Sequence, residues 1–231
     1  MPQLSKRLKL IASLVPNGAR VCDIGTDHGY LAIELKKSGK AASVIAADIN
    51  SAPLENAKKN IEKSGVSGIV LRLCDGLSGI APEETDTVII AGMGGEVIAG
   101  ILERGSSVVN NCDKTVILQP TTSPEILRKF LYDNGLQIRK EIAVLENGKI
   151  YSVMLVKFTG NIQKCDEYFY YTGKVDKNTE FGRLYIEKQL NRCLKCARPL
   201  EFVPGKTQEY LYYKNIVSGI ENHLKTTASE N

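Results

Sequence analysis

The chain has 231 residues, 43% of them hydrophobic, which suffices for one large domain or for one domain with an appendage. A formal net charge of +4 permits nucleic-acid binding through a local patch but does not require it. No apolar run reaches the roughly 18 residues of a membrane span, and the first residues lack the apolar block of a signal peptide. We therefore expect a cytoplasmic, monomeric protein with no membrane partner, whose six cysteines are reduced thiols.

Predicted strands and helices alternate along the first 133 residues. Strands are predicted over residues 20–24, 43–48, 69–73, 87–91 and 115–118, and helices over 4–15, 30–37, 51–65, 96–104 and 124–132. Ser51 and Ser123 are the predicted N-caps of two of these helices. Continuous apolar strands that alternate with helices are typical of a parallel sheet covered on both faces.

The pattern changes after residue 135. Two strands are predicted over residues 136–145 and 149–158, and Asn147-Gly148 between them is the strongest short hairpin signal. NAD-binding domains normally close with another parallel unit, whereas class I methyltransferases close with an antiparallel strand. The predicted fold is therefore α/β, a Rossmann-like, mostly parallel sheet of the class I methyltransferase type that ends in an antiparallel hairpin.

The composition shifts again near residue 160. Helical patterns over residues 180–197 and 208–224 predict a helical hairpin. We therefore divide the chain into a cofactor-binding catalytic domain over residues 1–160 and a small helical, coiled-coil-like domain over residues 161–231.

The turn after the first strand indicates a nucleoside cofactor. Gly25 lets the backbone approach a ligand closely, and Asp48 follows it by 23 residues. This is close to the roughly 20 residues between a nucleotide-binding glycine turn and the acid that binds a ribose. Asp48 should accept hydrogen bonds from both ribose hydroxyls, with Ile49 beside it.

Asp27 stands two residues beyond Gly25, where a dinucleotide-binding motif has its second glycine. An anionic side chain there would repel a pyrophosphate, but it suits a cofactor with a sulfonium and an amino group, such as S-adenosylmethionine. Alternatively, Asp27 caps the helix that begins near Gly29, and both roles are compatible. His28 is expected to orient this loop by hydrogen bonds more readily than to act as a base.

Two further turns follow predicted strands. Asp75, with Gly76 and Leu77 after it, could receive the exocyclic amine of adenine, or could form a plain turn. The glycine-rich segment 91–95 could bring its backbone close to a flat base, with Met93 as an apolar surface, or could be a tight packing turn.

No metal site is expected. The chain has only two histidines, and Cys193-x-x-Cys196 is a lone pair without further ligands.

Four segments resemble the bacterial tRNA (adenine-22-N1)-methyltransferases. They are Leu4-Ser-Lys-Arg-Leu8, Asp23-Ile-Gly-Thr-Asp-His-Gly-Tyr-Leu31, Ala91-Gly-Met-Gly-Gly95 and Leu118-Gln-Pro120. The resemblance spans the N-terminal domain, and a C-terminal helical extension is also a family feature. Members often carry asparagine where this chain has Thr121. The resemblance implies methyl transfer from S-adenosylmethionine to N1 of an adenine in the D-arm region of tRNA.

Three sets of residues are expected to act on this basis. The catalytic set is Asp27, Tyr30 and Met93. The cofactor-binding set is Gly25, Asp27, His28, Asp48, Ile49, Asp75, Gly76, Leu77, Ala91, Gly92 and Gly94. The set for RNA is Lys6, Arg7, Lys9, Gln119, Lys188, Arg192 and Lys195, of which the last three fall at helical spacing and could form one cationic stripe or an ordinary solvated face.

Three alternatives stay open at this point. The runner-up is a methyltransferase of the same fold that acts on a small molecule or a protein. An NAD-binding oxidoreductase is disfavoured by the missing G-x-G-x-x-G motif, by Asp27 and by the terminal hairpin. A non-catalytic RNA-binding protein that retains a cofactor pocket is the last.

Overall fold

The computed structural model describes residues 4–226. The strands within this range are β1 Ala19–Ile24, β2 Ala41–Asp48, β3 Ile69–Leu73, β4 Thr87–Gly94, β5 Thr115–Thr122, β6 Leu136–Glu146 and β7 Lys149–Phe158. The helices are α1 Lys6–Leu14, α2 Tyr30–Lys37, α3 Ser51–Ser64, α4 Gly95–Arg104, α5 Ser106–Val109, α6 Pro124–Asp133, α7 Glu167–Thr172, α8 Glu180–Ala197 and α9 Thr207–Lys225.

The seven strands form one sheet in the order β3-β2-β1-β4-β5-β7-β6. Strands β1 to β5 pair in parallel, and β7 lies antiparallel between β5 and β6. Asn147 and Gly148, which join β6 to β7, have φ angles of 49° and 72°, as a two-residue hairpin turn requires. The predicted α/β fold with an antiparallel end is confirmed.

Helices cover both faces of the sheet because neighbouring strand residues point in opposite directions. On β1, Val21 packs with Ile11 of α1 and Leu35 of α2, whereas Cys22 belongs to the cluster that includes Ile98 of α4 and Leu127 of α6. A separate apolar core therefore lies on each face of the sheet. The carboxyl ends of the strands, between the two cores, are left for a ligand.

The C-terminal helices are docked onto the end of the sheet. Helices α8 and α9 pack against each other, and α8 also packs against β6 and β7. Tyr185, Ile186 and Ile216 form a third apolar cluster with Ala143 and Ile150 of the hairpin. The predicted helical extension is present here, while residues 227–231 of the predicted domain lie outside the described residues. The boundary at residue 160 stays a prediction.

Several local predictions need correction. Asn50, not Ser51, is the N-cap of α3. Ser123 is the N-cap of α6, as predicted, but in a left-handed conformation and without a side-chain hydrogen bond to the helix. Strands β4 and β5 run further than predicted because their pairing continues past the glycines, with Gly94 opposite Thr122. Helices α5 and α7, with four and six residues, are too short to show a helical period in the sequence.

Candidate active site

A cavity of about 400 Å³ opens at the carboxyl ends of β1, β2 and β4. This is the edge at which ligands bind in open α/β sheets. Eight of the predicted cofactor or catalytic residues line it: Gly25, Asp27, His28, Tyr30, Asp48, Ala91, Gly92 and Met93.

The glycine turn forms the floor of this cavity. Gly25 has a φ of 80°, and a Cβ atom there would overlap the methyl group of Met93. The backbone N–H groups of Gly25 and Thr26 donate to the carbonyl of Ala47 at 2.8 and 3.1 Å, which ties the turn to the neighbouring strand. Only glycine satisfies both the backbone conformation and the close approach.

Asp48 lies at the end of β2 and is half-buried in the cavity wall. The backbone N–H of Asn50 donates to its Oδ1 at 2.8 Å and so orients the carboxylate. Ile49, predicted beside the cofactor, is 60% exposed next to it but does not line the cavity. Asp48 therefore has the position that a ribose-binding acid requires.

Asp23 is a site residue that the sequence analysis did not select. It lines the cavity although it is only 6% exposed, and its Oδ2 accepts a hydrogen bond from the hydroxyl of Thr26 at 2.9 Å. Burial raises the pKa of Asp23 to about 6, and the bond from Thr26 opposes this rise. The available signal was an acid within the otherwise apolar run Val21-Cys-Asp-Ile24.

The loop before α2 is exposed. Asp27 Oδ2 lies 3.2 Å from His28 Nε2, and the rings of His28 and Tyr30 stack with their centroids 5.2 Å apart. Gly29 is the N-cap of α2, in a left-handed conformation and without a side-chain bond. The alternative role of Asp27 as a helix cap is therefore wrong, while its place in the cavity agrees with the prediction.

Gln119 holds the glycine-rich segment in place. Its Oε1 accepts hydrogen bonds from the N–H of Gly92 at 3.2 Å and from Nη1 of Arg7 at 2.6 Å. Gln119 is completely buried, so the expectation that it contacts RNA is wrong. The hydroxyl of Thr121 donates to the carbonyl of Met93 at 3.0 Å. Gln119 and Thr121, both near the end of β5, therefore hold the glycine-rich segment by hydrogen bonds.

The cavity fits S-adenosylmethionine by its chemistry. An acid at the end of β2 suits a ribose, the buried Asp23 suits a cationic amino group, and the glycine turn leaves room for backbone contact. Among residues 4–226, no group of three or more histidine, cysteine or acidic side chains could hold a metal ion. Nor is any helix in that range long and apolar enough to cross a membrane.

Comparisons with known proteins agree with this geometry. Residues 4–154 match the family described as a methyltransferase domain. The tRNA (adenine(22)-N(1))-methyltransferase of Bacillus subtilis (strain 168) is 40% identical over 156 residues, which are 67% of this chain and 65% of that enzyme. The chain therefore belongs to the family described as a methyltransferase domain.

Solved structures extend the similarity to the C-terminal helices. The B. subtilis m1A22 tRNA methyltransferase TrmK superposes with a TM-score of 0.87 at 29% identity, over 96% of this chain and 99% of that one. A putative tRNA (m1A22) methyltransferase of Streptococcus pneumoniae, in complex with S-adenosyl-L-methionine, gives 0.81 at 32% identity over 96% and 100% of the two chains. The similarity in fold therefore covers both the sheet and the C-terminal helices.

Besides Ile49, four predicted cofactor residues of the methyltransferase lie outside the cavity. Asp75 pairs with Arg104 at 3.3 Å, and Gly76 packs against Ile101. The side chain of Leu77 is in the core, 3% exposed, so only its backbone could contact the cofactor, and its predicted role in cofactor binding stays a prediction. Gly94, the last of the four, is the N-cap of α4.

The predicted RNA-binding cations of the methyltransferase differ in their surroundings. Arg7 pairs with Glu146 at 3.2 Å, and Arg192 makes a two-pronged ion pair with Glu125, so neither is the free cation that was expected. Arg192 is thus already paired, and the predicted cationic stripe on α8 stays a prediction. Lys6, Lys9, Lys188 and Lys195 are exposed, and their contact with RNA stays a prediction.

The protonation of Asp23 should control cofactor binding. The carboxylate favours a cationic amino group, but with a pKa of about 6 only about a tenth of it is ionised at pH 5. We expect the Kd of S-adenosylmethionine to fall about tenfold between pH 5 and pH 7.5. Titration calorimetry of wild type and Asp23→Asn measures this, and a variant with the same pH dependence as wild type would refute the assignment.

The raised pKa of Asp23 also affects the stability of the ligand-free protein, which should decrease as the pH rises, whereas cofactor affinity should increase. A folded-state pKa above the unfolded value means that the native state binds the proton more tightly. The stabilisation by protonated Asp23 is therefore complete below about pH 4 and is lost as the pH rises through about 6.

Proposed function

We propose that this protein transfers the methyl group of S-adenosylmethionine to N1 of adenine 22 in the D-arm region of tRNA. The observation that carries the proposal is one cavity in which the Gly25 turn, Asp48 and the Gly92-Met93 segment meet. Similarity to the B. subtilis tRNA (adenine(22)-N(1))-methyltransferase over the catalytic part of the chain supports the choice of substrate.

The reaction needs little from the protein beyond placement. Bound S-adenosylmethionine supplies an electrophilic methyl group and a neutral thioether as the leaving group. The lone pair of N1 forms the new N–C bond as the S–C bond breaks, which leaves S-adenosylhomocysteine and a cationic 1-methyladenosine. No general base is required, because N1 carries no proton in neutral adenine. Placing N1 in line with the S–C bond is therefore the main task of the protein.

Each cavity residue then has a distinct role. Asp48 holds the ribose, and Asp23 holds the amino group of the cofactor. Met93 covers Gly25 and offers an apolar surface to the adenine, while the carboxylate of Asp27 stabilises the charge that develops on the base. Tyr30, already stacked on His28, extends this aromatic surface so that the adenine can stack when it leaves the RNA helix.

A direct product analysis tests the proposal. The purified protein is incubated with S-adenosylmethionine and unmodified bacterial tRNA transcripts, and the digested RNA is searched for 1-methyladenosine by mass spectrometry. A transcript with guanine in place of adenine 22 is the matched control. Methylation only of the first transcript is the expected result. If the protein binds the cofactor but forms no methylated nucleoside, a small molecule or a protein becomes the favoured substrate.

Tyr30 should act through its ring and not through its hydroxyl. Stacking of a base on an aromatic side chain is worth about 1–3 kcal/mol, so Tyr30→Ala should lower kcat/KM for tRNA about 5- to 150-fold. Tyr30→Phe keeps the ring and should stay within about threefold of wild type. If Tyr30→Phe loses as much as Tyr30→Ala in the same steady-state assay, the hydroxyl is the acting group.

The exposed lysines should contribute a salt-dependent part of tRNA affinity. Combined Lys6→Glu, Lys9→Glu and Lys195→Glu changes should weaken tRNA binding at least about tenfold at low salt and flatten the dependence of log Kd on log salt. Reversal of three other exposed lysines, Lys58, Lys59 and Lys63 on α3, controls for net charge. Filter binding across a salt series measures both. Equal losses in the two variants would mean that only the overall charge matters.

Two expectations about the whole protein stay predictions: a cytoplasmic location and a monomeric state.

A further inference from the structure

A second cavity, of about 440 Å³, lies between the end of β5 and helix α8. Its walls include Thr121, Ser123, Tyr151, Lys188 and Arg192, and it shares no lining residue with the cofactor cavity. The volume is within the roughly 300–1,000 Å³ of sites that hold small organic ligands. The sequence analysis placed Lys188 and Arg192 in the set for RNA, but it assigned no chemical group to this cavity.

The two cavities are neighbours. The hydroxyl of Thr121, which lines the second cavity, donates to the carbonyl of Met93, which lines the first, at 3.0 Å. The ring of Tyr151 lies 5.5 Å from the guanidinium of Arg7 in the first cavity and 5.7 Å from Nζ of Lys188 in the second. A ligand in the second cavity therefore lies beside the glycine-rich segment 91–95.

The charges around the second cavity do not cancel. Glu125 neutralises Arg192, and Glu141 neutralises the buried Arg128 beneath the cavity floor. Lys188 bonds to the carbonyl of Ile150 at 2.9 Å, and no carboxylate within residues 4–226 pairs with it.

The surroundings of Lys188 disfavour its charge. Lys188 is exposed as a residue, but its ammonium is partly buried where it bonds to Ile150. This partial burial lowers the pKa of Lys188, and the nearby cations Arg192 and Lys149 lower it further. An anion bound beside the ammonium would relieve this cost, because an opposite charge nearby favours the charged form.

The start of helix α6 adds to the positive potential. Ser123 and Pro124 line the cavity, and Ser123 makes no side-chain bond that would cap the ten-residue helix. The N-terminal end of a helix carries a partial positive charge and unpaired N–H groups. The ring of Tyr151 already contacts two cations, so recognition by charge is favoured over stacking of a base.

We propose that the second cavity binds a backbone phosphate of the tRNA next to the methylated adenine, with Lys188 as the contacting cation. The proposal rests on the proposed function, because it assigns the phosphate to the RNA substrate. A phosphate held there would fix the strand on the α8 side of the target nucleotide and so help to present the base to the cofactor cavity. Lys188 is thus a positioning residue and not a catalytic one.

The test compares two substitutions on the same helix that remove the same charge. Lys188→Gln removes the proposed phosphate contact, whereas Arg183→Gln removes an exposed cation that pairs with Glu187 one turn away. Methylation of an unmodified tRNA transcript is measured across a salt series, together with cofactor affinity and Tm. For Lys188→Gln we expect a KM for tRNA about tenfold higher, a smaller change in kcat, and a salt slope reduced by about one.

The control variant should behave like wild type in KM and in salt slope. Equal effects of the two substitutions, or none from Lys188→Gln, would overturn the proposal. If Lys188→Gln lowers Tm, acetylation of wild-type lysines read by mass spectrometry decides the matter instead: tRNA should protect Lys188, and S-adenosylmethionine alone should not.

Failure of the proposed function gives a different pattern. In that case wild type forms no methylated adenosine from tRNA, and assignment of the phosphate to this substrate falls with it. Acetylation in the presence of inorganic phosphate then shows whether the anion site exists on its own, since phosphate would slow the modification of Lys188 but not that of the exposed Lys206.

Discussion

Replacing Arg128 by methionine is expected to lower the free energy of unfolding by about 3–5 kcal/mol, because it leaves the carboxylate of Glu141 buried and unpaired. Arg128 is completely buried, and its Nη2 lies 2.7 Å from Oε1 of Glu141 and 2.6 Å from the hydroxyl of Tyr185. Its Nη1 also donates to the carbonyls of Tyr170 and Tyr171. This one side chain therefore joins α6 to β6, α7 and α8.

Urea unfolding followed by circular dichroism measures the loss. Lys129→Met is the matched control, because Lys129 is the next residue of the same helix and its ion pair with Asp133 is exposed. Exposed pairs are worth about 0–1 kcal/mol, so the control should stay within that range. Adding Glu141→Leu to Arg128→Met should recover part of the loss, as no unpaired carboxylate is then left. Equal losses in Arg128→Met and Lys129→Met would show that the buried network contributes no more than a surface pair.

Replacing Asp48 by alanine is expected to raise the Kd of S-adenosylmethionine about 100-fold or more. Two hydrogen bonds from ribose hydroxyls to a carboxylate are worth about 1.5–3 kcal/mol each, and about 1.4 kcal/mol corresponds to a factor of ten. The free energy of unfolding should change little, because Asp48 is at a strand end and its carboxylate accepts a hydrogen bond only from the backbone of Asn50 among the described residues. Titration calorimetry at pH 7.5 measures the affinity.

Asp75→Ala is the informative comparison. Asp75 also follows a parallel strand, but it pairs with Arg104 and does not line the cavity, so its removal should change the Kd less than about threefold. A loss of affinity as large as that of Asp48→Ala would place the adenine against Asp75 and restore the expectation from the sequence. An unchanged affinity of Asp48→Ala would refute the assignment of the ribose.

Local signals predicted the parts of the site that depend on local structure. A glycine must stand at Gly25 because of its backbone conformation, and an acid at the end of β2 is recognisable from its distance to that glycine. The hairpin is marked by Asn147-Gly148 because only a few residue pairs adopt that turn. In these cases the physical cause lies within a few residues of the signal.

Local sequence signals did not predict the surroundings of a side chain whose partner is remote in the chain. Arg7 and Arg192 carry the same charge as the exposed lysines, but their partners Glu146 and Glu125 are 139 and 67 residues away. Gln119 looks like a polar residue at a strand end, and only the packing of α1 and β4 around it shows that its amide is internal. Asp23 was overlooked because its burial results from its neighbours in the folded chain.

The sequence by itself determined the class of fold, the glycine turn, the acid at the end of β2 and the family, because all four depend on short segments with strict residue requirements. The tertiary structure alone decided which charges are neutralised and which polar side chains are buried. It also placed a second cavity next to the glycine-rich segment 91–95. These properties depend on which remote side chains meet when the sheet closes and α8 docks on β6 and β7. Burial and pairing set the energies of charged groups, so their roles became visible only in the folded protein.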